Sequence, residues 1–477
     1  MSEQIGPAPE QRSTIRAGRL RRTAPIAGFA ARAAGGRIVA GLRARGGDSE
    51  AIDRFHQRTA ERYAELLGHS KGVLMKAGQI MSTYDVDPEG SVAGAYHQAL
   101  QRLQADAPPM DYETARETLE LDLGKPIGEL FTEFSQVPMA AASIGQVHRA
   151  RLADGRDVVV KIQYPGVAQA IHDDLANTEL LATFLKLGTA LTPRAMRTDQ
   201  RATAAEISER IAEEVDYRNE ARNIEMFAEL YCDHPFIRVP DPIPERSGDH
   251  VLTMTYLDGV DWAKARTADQ DLRNAWAHAI SYFAFAAYRH SNLFNADPHP
   301  GNYRFGMDGT VGFVDFGCVK QFPEHIRRGV LGLIRAAGDG DPDTLFELLH
   351  EYGFVDADSD LTAAEAYEWW SLMAVGLLTE QPHHYTHEDS TGIIRSLYDS
   401  SDASIAFRKM NVPSDWAMLS RINMGMYSIF SAMDASVYSR EILDVLDGVG
   451  EPYTELGRKH VEWARARSLP FGLDIRR

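Results

Sequence analysis

Two acids and an amide at fixed intervals constrain this chain more than any other feature. Asp297-Pro298-His299-Pro300-Gly301-Asn302 is followed, thirteen residues after Asn302, by Asp315-Phe316-Gly317, with the apolar segment 311–314 just before it. That interval leaves room for one hairpin, so the fold must bring a loop, a strand and a turn to one place. Transfer of a phosphoryl group needs divalent cations to neutralise the phosphate oxygens, and a carboxylate to receive or position the proton of the nucleophile. Asp297 suits the base, and Asn302 and Asp315 suit the metal ligands. Asp-Phe-Gly alone recurs by chance, but behind Asp-x4-Asn and an apolar strand it is specific.

Asp-x4-Asn with a spaced Asp-Phe-Gly is the protein-kinase pattern, and other segments extend the resemblance. Val158-Val159-Val160-Lys161 offers a lysine on a strand, like the Val-Ala-Ile-Lys of kinases. Glu220, on a helical stretch at 201–231, is the candidate for the ion pair that holds Lys161 against nucleotide phosphates, although Glu213 and Glu214 lie near enough to compete for that role. Met254-Thr255-Tyr256-Leu257-Asp258-Gly259 resembles a kinase hinge, where backbone groups of Thr255 and Leu257 would read the adenine edge and Met254 would line the pocket behind it. A glycine-rich loop is expected ahead of Lys161. Here that place reads Ala140-Ala141-Ala142-Ser143-Ile144-Gly145-Gln146, with small side chains but a more restricted backbone.

The organisation along the chain is that of an α+β protein. Segments 131–137, 147–152, 157–163 and 250–256 are short, rich in Val or Phe and bounded by Gly, Asp or Pro, so they read as strands. Helical texture dominates 51–125, 167–191, 201–231 and most of the chain after Gly259. The expected plan is a protein-kinase-like two-lobed fold: a small β-rich lobe at 131–256 with a helical insert, and a larger helical lobe at 257–448. A helical extension at 51–130 precedes it and a tail at 449–477 follows.

Charge is unevenly placed. Residues 1–46 carry nine arginines against Glu3 and Glu10, a net +7, whereas the remainder carries −25. The acidic body excludes a general nucleic-acid binder. The basic arm reads either as a solvated tail or as an amphipathic helix resting on an anionic membrane surface. Cys232 and Cys318 have no paired spacing, which fits a reducing compartment, and no apolar run reaches the length of a membrane span; a cytoplasmic protein, at most peripheral to a membrane, is expected. His383, His384 and His387 sit in a polar, Pro-containing stretch that reads as a loop without carboxylate partners.

Lys76-Ala77-Gly78-Gln79, the alanine-rich segment and Glu214-Val215-Asp216, taken with the kinase set, resemble the UbiB/AarF family of kinase-like proteins. The resemblance implies binding of ATP and Mg²⁺, an ATPase or unorthodox kinase activity, and a role in making or maintaining ubiquinone or a related isoprenoid lipid. It also implies that the Lys76–Gln79 helix folds over the active site, with Lys76 and Gln79 facing the nucleotide and Glu214 pairing with Lys76. Spacing alone places Lys76 and Gln79 on one helical face.

Two departures from ordinary protein kinases bear on the substrate. Asn295-Ala296 replaces the His-Arg before the catalytic Asp, which removes the arginine that would grip a phosphorylated activation loop. Phe322-Pro323-Glu324 follows Asp-Phe-Gly too soon for a long activation segment. A small molecule, a lipid or water is therefore easier to accommodate as acceptor than a protein. Two further readings compete: a small-molecule phosphotransferase of the aminoglycoside or choline type, and a nucleotide-gated lipid-binding module without phosphoryl transfer.

Overall fold

The computed structural model describes residues 110–141, 144–169, 212–389, 402–411 and 413–472, with residues 171 and 392. The elements below belong to one compact unit, Pro108–Ala168 with Ala195–Arg477.

Helix α1 (Tyr112–Leu123) starts where the Asp111 carboxylate accepts the Thr114 N–H, and stops at Gly124, whose φ of 67° few other residues adopt. A short α2 (Ile127–Leu130) leads into β1 (Glu133–Phe134), β2 (Ala140–Ala141), β3 (Gly145–Arg151) and β4 (Asp157–Gln163). After α3 (Tyr217–Leu230) and β5 (Ile237–Arg238), β6 (Val251–Thr255) completes an antiparallel sheet of order β1-β3-β4-β6, with β2 on β3. Alternation along β4 sends Val158, Val160 and Ile162 into a core with Ala115, Leu119, Leu130 and Phe131, and turns Lys161 to the other face. A Cβ on Gly145 would stand 2.2 Å from the Ile162 carbonyl oxygen, so only glycine lets β3 lie this close to β4.

Three expectations are corrected here. Segment 112–123 falls within the expected upstream extension, but Ala115 and Leu119 of α1 are fully buried in the core of the sheet and belong to the small lobe. The strand expected at 131–137 is only two residues long, because Pro138 and the Ser135–Val137 side-chain-to-backbone bond turn the chain away. The helix expected over 201–231 breaks at Val215–Asp216: Gln163 captures the Val215 carbonyl at 2.8 Å and Asp216 caps the new helix α3 by accepting the Asn219 N–H at 2.9 Å.

The large lobe is built around the buried α5 (Gln270–Ser291), preceded by α4 (Trp262–Ala265). Strands β7 (Phe294–Asn295), β8 (Tyr303–Phe305), β9 (Val311–Phe313) and β10 (Val319–Lys320) follow. β8 and β9 form the hairpin required by the spacing, β5 runs parallel to β9, and β10 pairs with β7. Helices α6 (Glu324–Asp339), α7 (Pro342–Glu351), α8 (Ala363–Met373) and α9 (Val375–Leu378) lead to β11 (His383–His384). Beyond it come α10 (Asp402–Lys409), α11 (Ser414–Ala432), β12 (Ser436–Val437), α12 (Ser439–Leu446) and α13 (Glu455–Ala466).

Two further expectations fail in this lobe. The stretch beyond 448 is no tail: Thr454 caps α13, and His460, Val461, Trp463 and Ala464 are buried against the body. His383 and His384 form a strand with Val437 and Ser436, and reach carboxylates: His383 that of Asp389 at 3.4 Å, six residues on, and His384 that of Asp434 at 3.1 Å, which only the fold brings near. Among the described residues no group of three His, Cys, Asp or Glu is arranged to hold a metal by itself, and no helix is long and apolar enough to cross a membrane.

Candidate functional site

The site forms where β4, α3 and the β9–β10 turn meet. β4 presents Lys161 on the face away from the small-lobe core, and the first turn of α3 presents Glu220. Lys161 Nζ donates to Glu220 Oε1 at 2.5 Å and to Asp315 Oδ2 at 3.3 Å. Burial opposes the charge on Lys161, but the Asp315 and Glu220 carboxylates outweigh it and hold the pKa above the ordinary lysine value. For Glu220, burial is the largest influence and pushes its carboxyl upward, with the ammonium opposing. Of the three neighbouring glutamates, Glu220 takes the lysine; Glu213 pairs instead with Lys320 at 2.7 Å. Glu214 stands beside Gly317.

Asp-Phe-Gly is fixed from α3 as well. Asn223 donates to the Phe316 carbonyl at 2.8 Å, and the Phe316 ring, fully buried, packs 5.0 Å from Phe227. Asp315 is thereby turned towards Lys161 rather than into the core.

The loop before β8 supplies the remaining groups. Asn295 donates to the Asp315 carbonyl at 2.9 Å and accepts the Asp297 N–H at 3.1 Å, so the residue that stands in place of the usual histidine ties the two acids together. Asn302 donates Nδ2 to Asp297 Oδ2 at 2.8 Å, which leaves its Oδ1 as an oxygen donor. His299 accepts the Gly301 N–H at 3.1 Å through Nδ1, a local turn bond. Asp297, Asn302 and Asp315 line one cleft, whose apolar wall includes Phe283, Phe313, Ile422 and Met426. The last two lie on α11, over a hundred residues downstream, and nothing in their sequence context marks them. α11 comes close because Gly425 meets Pro298: a Cβ there would sit 2.5 Å from the proline Cγ.

The nucleotide-facing expectations divide. Met254 is buried on the Lys161 face of the sheet, opposite Val159. Thr255 does not offer its N–H to an adenine edge, because Asp241 O accepts it at 2.9 Å. Leu257, whose backbone makes no hydrogen bond among the described residues, packs its side chain against Gly312. Gln146 is also corrected: it opposes Ile162, on the core face, where its Nε2 lies 2.8 Å from His148 Nε2, because alternation sends it away from Lys161. Ala140 and Ala141 form β2 rather than a loop, paired with Val147 and Gln146, and Gly145 belongs to β3. Ala142, Ser143, Lys76, Gln79 and the arm at 1–46 lie outside the described residues.

Comparison with known proteins gives a consistent picture. Residues 102–349 match the model of the ABC1 atypical kinase-like domain. The chain is 34% identical to Protein ACTIVITY OF BC1 COMPLEX KINASE 8, chloroplastic, of Arabidopsis thaliana, across 61% of this chain but only 38% of that protein. It is 28% identical to Atypical kinase COQ8, mitochondrial, of Saccharomyces cerevisiae, across 80% of this chain and 75% of that one. A solved structure of Rv3197 from Mycobacterium tuberculosis, in complex with erythromycin, superposes with a TM-score of 0.59 at 29% identity, covering 85% of this chain and all of that one.

Proposed function

The chain belongs to the ABC1 atypical kinase-like family, the UbiB/AarF proteins, and from that premise we propose that it binds ATP with Mg²⁺ and either hydrolyses it or transfers its γ-phosphoryl group. One observation carries the reading: Lys161, Glu220 and Asp315 meet within hydrogen-bond reach, and Asp297 and Asn302 share a cleft with Asp315.

The donor set fits Mg²⁺. That ion takes few protein ligands, typically one or two carboxylates, and fills its octahedron with phosphate oxygens and water. Asp315 and the Oδ1 of Asn302 would hold it, and the chemistry it would supply there is neutralisation of the phosphate charge. Lys161, kept charged and held by Glu220, would fix the α and β phosphates. Asp297, braced by the Asn302 amide and by its own N–H donated to Asn295 Oδ1, would receive or orient the proton of the nucleophile. The apolar wall of Phe283, Phe313, Ile422 and Met426 limits water around it, which strengthens each electrostatic contact.

The finer reading is that the acceptor is water, a lipid or a small molecule tied to quinone or isoprenoid-lipid metabolism, and that the arginine-rich arm brings the protein to an anionic membrane surface. The test is ATP turnover with Mg²⁺, with and without anionic liposomes and soluble isoprenoid-lipid precursors, using the full chain and a version lacking 1–46. Turnover that needs Mg²⁺ and rises with liposomes only when the arm is present supports the reading. No Mg²⁺-dependent turnover or nucleotide binding under any condition defeats it. A second reading, binding of a bulky apolar small molecule, is favoured by the erythromycin held by Rv3197, and a thermal-shift titration with that macrolide tests it.

A further inference from the structure

The helix that carries Glu220 is secured at its opposite end by a segment absent from the catalytic motifs. α3 is capped at Tyr231, and two carbonyls at that end, that of Glu229 in the last turn and that of Cys232 just beyond the helix, accept side-chain donors from α13 and from Arg467, the residue that caps it. Trp463 Nε1 donates to the Cys232 carbonyl at 2.9 Å, and the Arg467 guanidinium donates to the Glu229 carbonyl at 2.7 Å. Arg467 also lies over the Trp463 ring, 5.7 Å from its centroid.

Aromatic packing continues from this contact to the active site. Trp463 stacks on Tyr231 at 5.9 Å and 13°, Tyr231 stacks on Phe227 at 6.4 Å, and Phe227 packs on Phe316 at 5.0 Å, the residue after Asp315. A second tie runs through histidines. His234 Nδ1 accepts the N–H groups of Phe236 and Ile237 at 3.3 and 3.0 Å, so its Nε2 carries the proton and donates to His460 Nδ1 at 3.1 Å. His460 then donates from Nε2 to His290 Nε2 at 3.2 Å, and His290 donates from Nδ1 to the Pro470 carbonyl at 2.8 Å. Only this arrangement of protons satisfies every partner with neutral rings. It joins the chain after α3 to α5 and α13.

We propose that α13 is a positioning element for the Lys161–Glu220–Asp315 cluster: by holding the carbonyl end of α3, it sets where Glu220 meets Lys161 and keeps Phe316 beneath the helix. A 14-residue helix is stiff, and Glu220 lies roughly 14 Å along the axis from Glu229, so a tilt at the clamped end displaces the carboxylate at the other. The activity readout of this proposal rests on the phosphoryl-transfer reading above; its structural readout does not.

The experiment uses the full chain and the variants Trp463→Phe, which keeps a ring but loses the N–H, and Arg467→Ala, an exposed change that leaves the fold intact. Hydrogen exchange across 217–231 is read together with Mg²⁺-dependent ATP turnover and circular dichroism. Expected is a roughly fivefold faster exchange of the α3 amides in each variant, the equivalent of one hydrogen bond, with a comparable fall in kcat and little change in KM for ATP. Arg467→Lys, which can still donate to Glu229, restores both. Wild-type exchange across 217–231 in both folded variants overturns the proposal. Absence of turnover in the unmodified protein defeats the phosphoryl-transfer reading alone, and the exchange measurement still decides the clamp.

Discussion

Lys161 of the small lobe and Asp315 of the large lobe stand 3.3 Å apart although 154 residues separate them in the chain. That contact closes the cleft between the two halves of the site, and it sets the logic of the first two predictions.

Asp315→Asn keeps the shape of the side chain and removes the charge that would hold Mg²⁺. Mg²⁺-dependent ATP turnover is expected to fall by about a hundredfold to a thousandfold, the usual loss for one preorganised electrostatic group. Melting temperature should stay close to that of the unmodified protein, because Glu220 still partners Lys161. Turnover at the original rate would remove Asp315 from the metal site.

Lys161→Met should be the costliest single change at the site. It leaves Glu220 buried without its cation and facing Asp315, a loss on the order of 3–5 kcal/mol. Glu220→Gln should cost less, since Asp315 remains beside the ammonium. In urea denaturation the double variant Lys161→Met/Glu220→Gln should lose less than the two single losses combined, because the second change removes the charge that the first stranded. Simple additivity would mean that the pair does not interact.

Gly425→Ala tests how α11 sets the catalytic loop. The added methyl would lie 2.5 Å from Pro298 Cγ, so helix or loop must shift. Displacement of Asp297 by even about 1 Å can cost up to roughly a hundredfold in rate, and turnover should fall by about tenfold or more with the fold retained. Combining it with Pro298→Ala, which deletes the colliding atom, should recover much of the loss. A double variant no better than Gly425→Ala would show that the contact does not position the loop.

Acid should unfold this protein through its buried histidines. Burial lowers the pKa of His460 well below the ordinary value, that of His290 to about 4 and that of His234 to about 2. The folded state therefore holds these rings neutral while the unfolded chain binds protons below about pH 6.5. With more protons bound when unfolded, stability rises with pH through this window, is fully present above about 6.5, and is lost as pH falls. Each ring contributes a slope of up to about 1.4 kcal/mol per pH unit, steepest between about 6 and 4, where all three titrate only in the unfolded chain. Urea midpoints at pH 7.5, 6, 5 and 4 measure this, and His460→Gln should flatten the dependence. A flat profile in the unmodified protein would show that the rings are not held neutral.

Much of the site was legible because its chemistry is local. Asp297, Asn302 and Asp315 share one loop–hairpin–turn, and the Lys161 strand is marked by its run of valines, so spacing and residue type were enough. Glu220 was the better candidate among three only by resemblance. The structure separates them physically: the break at Asp216 restarts the helix, turning Glu220 to Lys161 and sending Glu213 to Lys320. The Gln146 side chain was misplaced, and the loss of the Thr255 N–H to Asp241 was not foreseen, because a strand's alternation and its outer hydrogen bonds are fixed by register with its neighbours, which a single segment does not reveal.

The sequence by itself determined the order of the lobes, the family and the acids that meet at the cleft, since these follow from short motifs whose parts need only neighbours in the chain. Only the tertiary structure decided what surrounds them. Gly425 against Pro298, Trp463 against Cys232 and the three linked histidines are each made of ordinary residues whose meaning lies in a partner 127 to 231 positions away, and contacts of that range are chosen by packing, which no local pattern encodes.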